Sequence, residues 1–142
     1  MLGRVDKTAR RITAQNLTNA RVLRLESAYA IAWLLPAQSV SRVHLLCPDP
    51  WPKKSHHKRR LFSDEEFFAG MERALVRGGE FLFKSDDFSY FENAVQTMST
   101  RHAFEQIEWP EDAFPYPCTT FEGDWVALGK TIHRARWRLV AE

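Results

Sequence analysis

Apolar and polar positions along this chain follow two alternating periods. Val5, Ala9 and Ile12 recur at helical spacing with basic residues between them, which predicts a helix over 4–15 that Asn16 to Asn19 ends. Arg21 to Leu25 reads as a short strand, with Val22, Leu23 and Leu25 apolar and Glu26 at its carboxyl end; Ser27 to Leu35 reads as a helix. Val40 to Cys47 is the clearest strand, an apolar run after the turn-like Pro36-Ala37-Gln38-Ser39. Ser63 followed by Glu66 predicts a helix start capped by Ser63, with Phe67, Met71, Ala74 and Leu75 as the buried face and Gly78-Gly79 as the stop. Glu80 to Lys84 is the next strand, 88–100 a helix and Phe104 to Trp109 extended. Thr119 to Ala127 forms a short helix and Thr131 to Leu139 a last strand.

Strands alternating with helices predict an α/β fold with a parallel sheet. Ligands of such sheets bind beyond the carboxyl ends of the strands. That rule selects Glu26, the loop from Pro48, and Ser85-Asp86-Asp87, each polar where the strand before it is apolar.

Composition narrows this picture. A chain of 142 residues, 44% hydrophobic, is enough for one domain over 1–142 with a real core. Its net charge of +2 is too small to mark a nucleic-acid binder, but residues 53–60 hold five positive charges and two histidines. Cys47 and Cys118 stand outside any C-x-x-C or Cys/His ligand pattern, which predicts reduced thiols in a cytoplasmic protein and no metal. No apolar run approaches the roughly 20 residues that cross a bilayer, so no membrane partner is expected. No apolar stretch follows the N-terminal charges, which argues against a secretory signal.

The stretch richest in chemistry is Pro48-Asp49-Pro50-Trp51-Pro52-Lys53-Lys54, continued by His56-His57-Lys58-Arg59-Arg60-Leu61. Each proline fixes its own φ and restricts the residue before it, which predicts a stiff, extended loop holding a carboxylate and an indole in set directions. An acid, a ring and a cationic flank suit a base held close to its phosphates. Other roles stay open: Trp51 fits a core as well as a base contact, and Thr119-x-x-Glu122 is also a capping box. Glu26 and Asp86 stand where each can cap the helix that follows.

Pro48 to Leu61 resembles the signature loop of the bacterial tRNA (guanine-N7-)-methyltransferases, a branch of the Rossmann-like class I methyltransferases. Asn19 to Glu26, Lys84-Ser85-Asp86 and Thr119-Thr120-Phe121-Glu122 resemble further motifs of that family, in the same order. The resemblance implies methyl transfer from S-adenosylmethionine to a guanine N7 in tRNA. It implies Asp49 as the catalytic carboxylate, near the cofactor as well, and Glu26 as a cofactor contact. Lys53, Asp86, Thr119, Thr120, Phe121 and Glu122 would contact the substrate. The basic run Lys54, His57, Lys58, Arg59 and Arg60 would meet the RNA backbone.

One family element is missing. None of the six glycines forms a G-x-G turn after an apolar strand. The family strand order, 3-2-1-4-5-7-6, would put two absent strands between Arg21–Leu25 and Val40–Cys47. The expectation is therefore a class I sheet lacking its first two strands and glycine-rich cofactor loop, as in an N-terminally truncated product. Two other readings stand beside it: a tRNA-binding fragment without catalysis, and a half-domain completed by another chain. The sequence does not distinguish monomer from homodimer.

Overall fold

In a computed structural model, which describes residues 2–110, 112–114, 116 and 118–140, four strands form one mixed sheet in the order β1-β2-β4-β3. They are β1 (Val40–Leu46), β2 (Leu75–Ser85), β3 (Phe104–Ile107) and β4 (His133–Leu139). The helices are α1 (Leu2–Ala14), α2 (Ser27–Tyr29, continued by a π turn over Ala30–Leu34), α3 (Glu65–Ala74), α4 (Phe88–Ser99) and α5 (Thr120–Ala127). The side chains of Leu2, Lys54 and Lys58 lie outside the described residues.

The sheet is not wholly parallel. Strand β1 runs parallel to β2, with Arg42 to Leu46 beside Glu80 to Lys84. Strand β4 inserts antiparallel between β2 and β3, pairing Ser85 with His133 and Phe104 with Leu139. Helix α4 carries the chain from β2 to β3 as a crossover, whereas an antiparallel neighbour such as β4 needs no crossover helix.

Arg21 to Leu25, expected as a strand, pairs with no other strand among the described residues and bends at Leu25, and Leu23 and Leu25 are 64% and 50% exposed. Apolar residues in extended form become a strand only when a neighbour accepts their hydrogen bonds, and none lies beside this segment among the described residues. The expected gap inside the sheet is absent for the same reason: the sheet ends at β1.

Helix boundaries follow local hydrogen bonding. Asn16 adopts φ 53°, and Leu17 N–H reaches the Ile12 carbonyl at 3.1 Å, closing α1 with a left-handed cap at the residue where the sequence places its end. Helix α3 is capped by Asp64 and not by Ser63. The Asp64 carboxylate accepts from Glu66 N–H at 3.0 Å, while Ser63 sits in a preceding 3₁₀ turn and donates to the His57 carbonyl. Helix α3 gives way to β2 at Leu75, ahead of Gly78-Gly79. Those glycines instead absorb a register shift between Val40 and Arg42, with Gly78 at φ 74°.

The two faces of β2 carry different chemistry. Phe81 and Phe83 point into a core closed by Phe62, Phe67, Phe68, Met71, Tyr90, Met98 and Trp137. On the opposite face the Glu80 carboxylate, 10% exposed, accepts from Arg42 Nε at 3.0 Å and from Arg136, with Arg138 at 3.7 Å. Burial alone would raise its pKa, but hydrogen bonds from Arg136 and Arg42, and their charges, outweigh burial and lower it.

The α2–π segment lies against α3 at Gly70. A Cβ there would stand 2.5 Å from Ala32 Cα and 2.7 Å from Ala32 N, so only hydrogen fits. Arg73 then caps the π turn, donating to the carbonyls of Ile31, Ala32 and Leu35 at 3.2, 3.0 and 2.7 Å.

Two stability outcomes follow. Gly70→Ala forces backbone away from backbone and should cost about 1–3 kcal/mol in urea unfolding, despite alanine's better helix propensity. Because the Glu80 carboxyl is lowered in the folded state, its contribution is complete above the ordinary glutamate range and is lost as pH falls through the folded value. Glu80→Gln should therefore destabilise by at most about 3 kcal/mol at neutral pH, with Arg42 and Arg138 still partly in water. The difference from wild type should shrink progressively on acidification.

Candidate active site at the carboxyl ends of the central strands

Strands β1 and β2 end side by side, and the Cys47 N–H donates to the Lys84 carbonyl at 2.9 Å. Beyond these ends lie the Pro48 loop and Ser85-Asp86-Asp87, as the strand-end rule anticipates.

The loop is kinked more than extended. Cys47 and Trp51 adopt φ of 43° and 45°, in the left-handed region that non-glycine residues rarely enter, and they bracket Asp49. The Asp49 carboxylate accepts from its own loop, at the Trp51 N–H 3.0 Å away, and is otherwise exposed. A 3₁₀ helix over Lys54–Arg59 follows. Arg60 is only 4% exposed; its Nε donates to the Pro50 carbonyl at 2.7 Å and its guanidinium lies 4.8 Å from the Tyr90 ring centre. This residue, expected at an RNA backbone, clamps the loop to the core instead. Arg59 is exposed and lies 4.9 Å over Trp51, and Lys53 is exposed. His57 is half-buried.

At the end of β2 the two aspartates divide the work. Asp87 caps α4, accepting from Tyr90 N–H at 2.7 Å. Asp86 turns the other way and accepts from Trp125 Nε1 of α5 at 2.8 Å. Thr119 caps α5 through the Glu122 N–H at 3.2 Å, but the Glu122 carboxylate does not close a capping box. It pairs with Lys84, whose side chain is 6% exposed. Helix α5 has no buried residue, so these two polar links dock it to the sheet. Thr120 and Phe121 are exposed, Phe121 resting edge-on against Trp125 at 5.2 Å.

The structure thus unites Lys84, Asp86, Thr119 and Glu122. Asp49 and Lys53 lie on the neighbouring loop, without a hydrogen bond to that group among the described residues. Sequence reasoning missed the aromatic wall beside it. Trp109 and Tyr116 meet at 88° with centres 5.8 Å apart, and His44 of β1 stacks on Tyr116 at 5.7 Å. Burial and then the Arg42 charge lower the His44 pKa, while burial raises Tyr116 to about 12. The only hint in sequence is the density of rings between Trp109 and Tyr116. The Cys47 thiol is pushed to about 11 by burial and by Asp86 and Glu122, which makes it a poor nucleophile.

Glu26 is exposed, and its two oxygens accept from the N–H groups of Ala28 and Tyr29 at 3.0 and 2.7 Å, capping α2. Among the described residues no group of three or more His, Cys, Asp or Glu is placed to hold a metal ion, and no helix is long and apolar enough to cross a membrane.

This sheet, with an antiparallel strand set between two that run the same way and helices α3 and α4 beside it, defines a methyltransferase-type α/β fold. It superposes on an S-adenosylmethionine-dependent O-methyltransferase from Thermotoga maritima with a TM-score of 0.54, over 97% of this chain and 46% of that one. At 14% identity that likeness is one of fold. Residues 2–135 match the family described as putative methyltransferase, and the chain belongs to it. The tRNA (guanine-N(7)-)-methyltransferases of Syntrophotalea carbinolica and Geobacter metallireducens are 34% and 33% identical to it, over 90% and 96% of its length. The chain spans 56% and 66% of those two proteins.

The Thermotoga maritima enzyme that shares this fold depends on S-adenosylmethionine. Glu26 and Asp49 are exposed carboxylates with lone pairs to spare, which suits contacts to such a molecule. None of the six glycines stands at the carboxyl end of a strand, where close backbone approach would need one. The described residues fit the acidic contacts of a cofactor site and not its glycine cradle.

Proposed function

We propose that this chain bears the guanine-binding and carboxylate-bearing part of a tRNA guanine-N7 methyltransferase of the cytoplasm, using S-adenosylmethionine. The observation that carries the reading is the docking of α5 at the strand ends, with Glu122 on Lys84 and Trp125 on Asp86, next to the loop of Asp49. Those are the segments in which the sequence resembles that family, and relatives of that name match nearly the whole chain.

Guanine N7 offers a lone pair and carries no proton, so the reaction asks for no general base. S-adenosylmethionine, held by Glu26 and Asp49, would supply the sulfonium methyl, its S–C bond breaking as the N7–C bond formed and leaving a neutral thioether and a cationic purine. The protein's part is orientation and negative charge against the ring. Asp49, held by the Trp51 N–H in a rigid loop, serves as the orienting and electrostatic group. Glu26 meets the cofactor. Asp86 and the Thr119–Glu122 turn hold the base, with Lys53 beside them. The basic turn, in which Lys53 and Arg59 are exposed, takes the RNA backbone through those two together with Lys54, His57 and Lys58, while buried Arg60 keeps that turn in place.

The lack of a glycine cradle favours a second reading, in which this chain binds tRNA without methylating it. Methyl transfer from labelled S-adenosylmethionine to unmodified tRNA, with the modified nucleotide mapped, decides between them. Label at a guanine N7 supports catalysis. Salt-dependent tRNA binding by folded chain without label leaves the binding reading. Where transfer occurs, Asp49→Asn should reduce turnover by about 100-fold or more while tRNA affinity changes by less than about twofold. Equal losses in both would assign Asp49 to binding.

A further inference from the structure

A cavity of about 190 Å³ opens beside the strand ends, lined by Lys84, Trp109, Tyr116, Cys118, Glu122 and Arg134. Its walls are the two perpendicular rings of Trp109 and Tyr116, and its polar edge holds the Glu122 carboxylate and the Arg134 guanidinium, the latter 5.9 Å from the Trp109 ring centre. Two rings and a carboxylate make a seat for a cation. Here that seat is taken from within: the Lys84 ammonium lies 4.2 Å from the Tyr116 ring centre and 5.4 Å from that of Trp109, paired with one Glu122 oxygen. Among the described residues the other Glu122 oxygen accepts no hydrogen bond and the buried Tyr116 hydroxyl has no partner.

We propose that this pocket seats the target purine and that Lys84 makes it selective for the neutral guanine over the N7-methylated, cationic product. The proposal rests on the methyltransferase reading above and extends it from which residues touch the base to how the product leaves. A neutral purine stacks on an aromatic wall, and its N1–H and amino group donate to the free Glu122 oxygen. Methylation at N7 places a positive charge on that ring. The ammonium already fixed in the box then repels the product, where an empty box would hold it. Lys84 is in this sense a positioning residue: it orients Glu122 and biases the pocket against its own product.

The test needs neither cofactor nor tRNA. Guanosine 5′-monophosphate and its N7-methyl counterpart are titrated into the intact chain by ligand-observed NMR, at mildly acidic pH where the methylated ring keeps its full charge. The unmethylated nucleotide should bind about tenfold more tightly, the size of effect that a single cation–ring interaction produces. Lys84→Gln keeps a donor for Glu122 but removes the nearer of the two positive charges, Arg134 remaining at the rim, and should abolish most of the preference. Tyr116→Ala should weaken both ligands. Equal or tighter binding of the methylated nucleotide by the wild-type chain overturns the proposal, and so does the absence of binding by either. Wild-type preference suffices for the test should Lys84→Gln fail to fold. Nucleotide binding that fails while tRNA is methylated sinks the pocket alone; selective binding without methylation leaves the pocket standing and removes the catalytic reading.

Discussion

Strand β2 is buried along most of its length, yet its second face carries a glutamate and a lysine, and both the pairing of the sheet and the docking of α5 answer that constraint. A charge removed from water must find a partner or lose its ionisation. Glu80 draws one arginine from each flanking strand, Arg42 and Arg136, and so ties β1 and β4 to the centre of the sheet. Lys84, further along the same face, draws Glu122 from α5 and stands against Tyr116. The first pairing holds the sheet together, and the second builds the candidate site. Both depend on the same alternation that turns Phe81 and Phe83 into the core.

The site itself is held by polar links over an aromatic floor, in contrast to the apolar packing under α3 and α4. Helix α5 buries no residue and docks through Lys84–Glu122 and Asp86–Trp125. Such a helix keeps its register by direction-specific bonds, which suits an element that has to present Thr119 and Glu122 to a ligand. The Pro48 loop is fixed by a different device. Left-handed Cys47 and Trp51 bend it, and the buried Arg60 guanidinium anchors it at the Pro50 carbonyl. Strain of this kind persists only where the surroundings over-determine it, and here it sits on either side of the carboxylate expected to do the chemistry.

Much of the fold was legible from periodicity. Strand β1, helix α4 and strand β4 fall within a residue or two of where the pattern of apolar positions puts them, because each has a face turned to the core, while helix α5, which buries no residue, begins where the Thr119 cap puts it. The misses share a cause. Arg21–Leu25 has a strand's composition and no partner, since pairing is a property of the neighbour and not of the segment. Ser63 has a cap's chemistry, but the 3₁₀ turn before it shifts the cap to Asp64. The wholly parallel sheet failed because the direction of β4 is set by where the chain re-enters, which local pattern does not record.

The sequence by itself determined the apolar core, the place of the Pro48 loop and its acid at a strand end, the helix-capping chemistry of Thr119, and the family to which these motifs belong. Each is a matter of residue type and near-neighbour spacing, where local sterics and hydrogen bonding decide. Tertiary structure alone decided which of two adjacent aspartates caps and which faces α5, and that Arg60 is a clamp where Arg59 is exposed. It also decided that Trp109 and Tyr116, far from Lys84 in sequence, enclose its ammonium. Those outcomes turn on which side chains meet across the sheet, and burial then holds each charge to the opposite charges within reach.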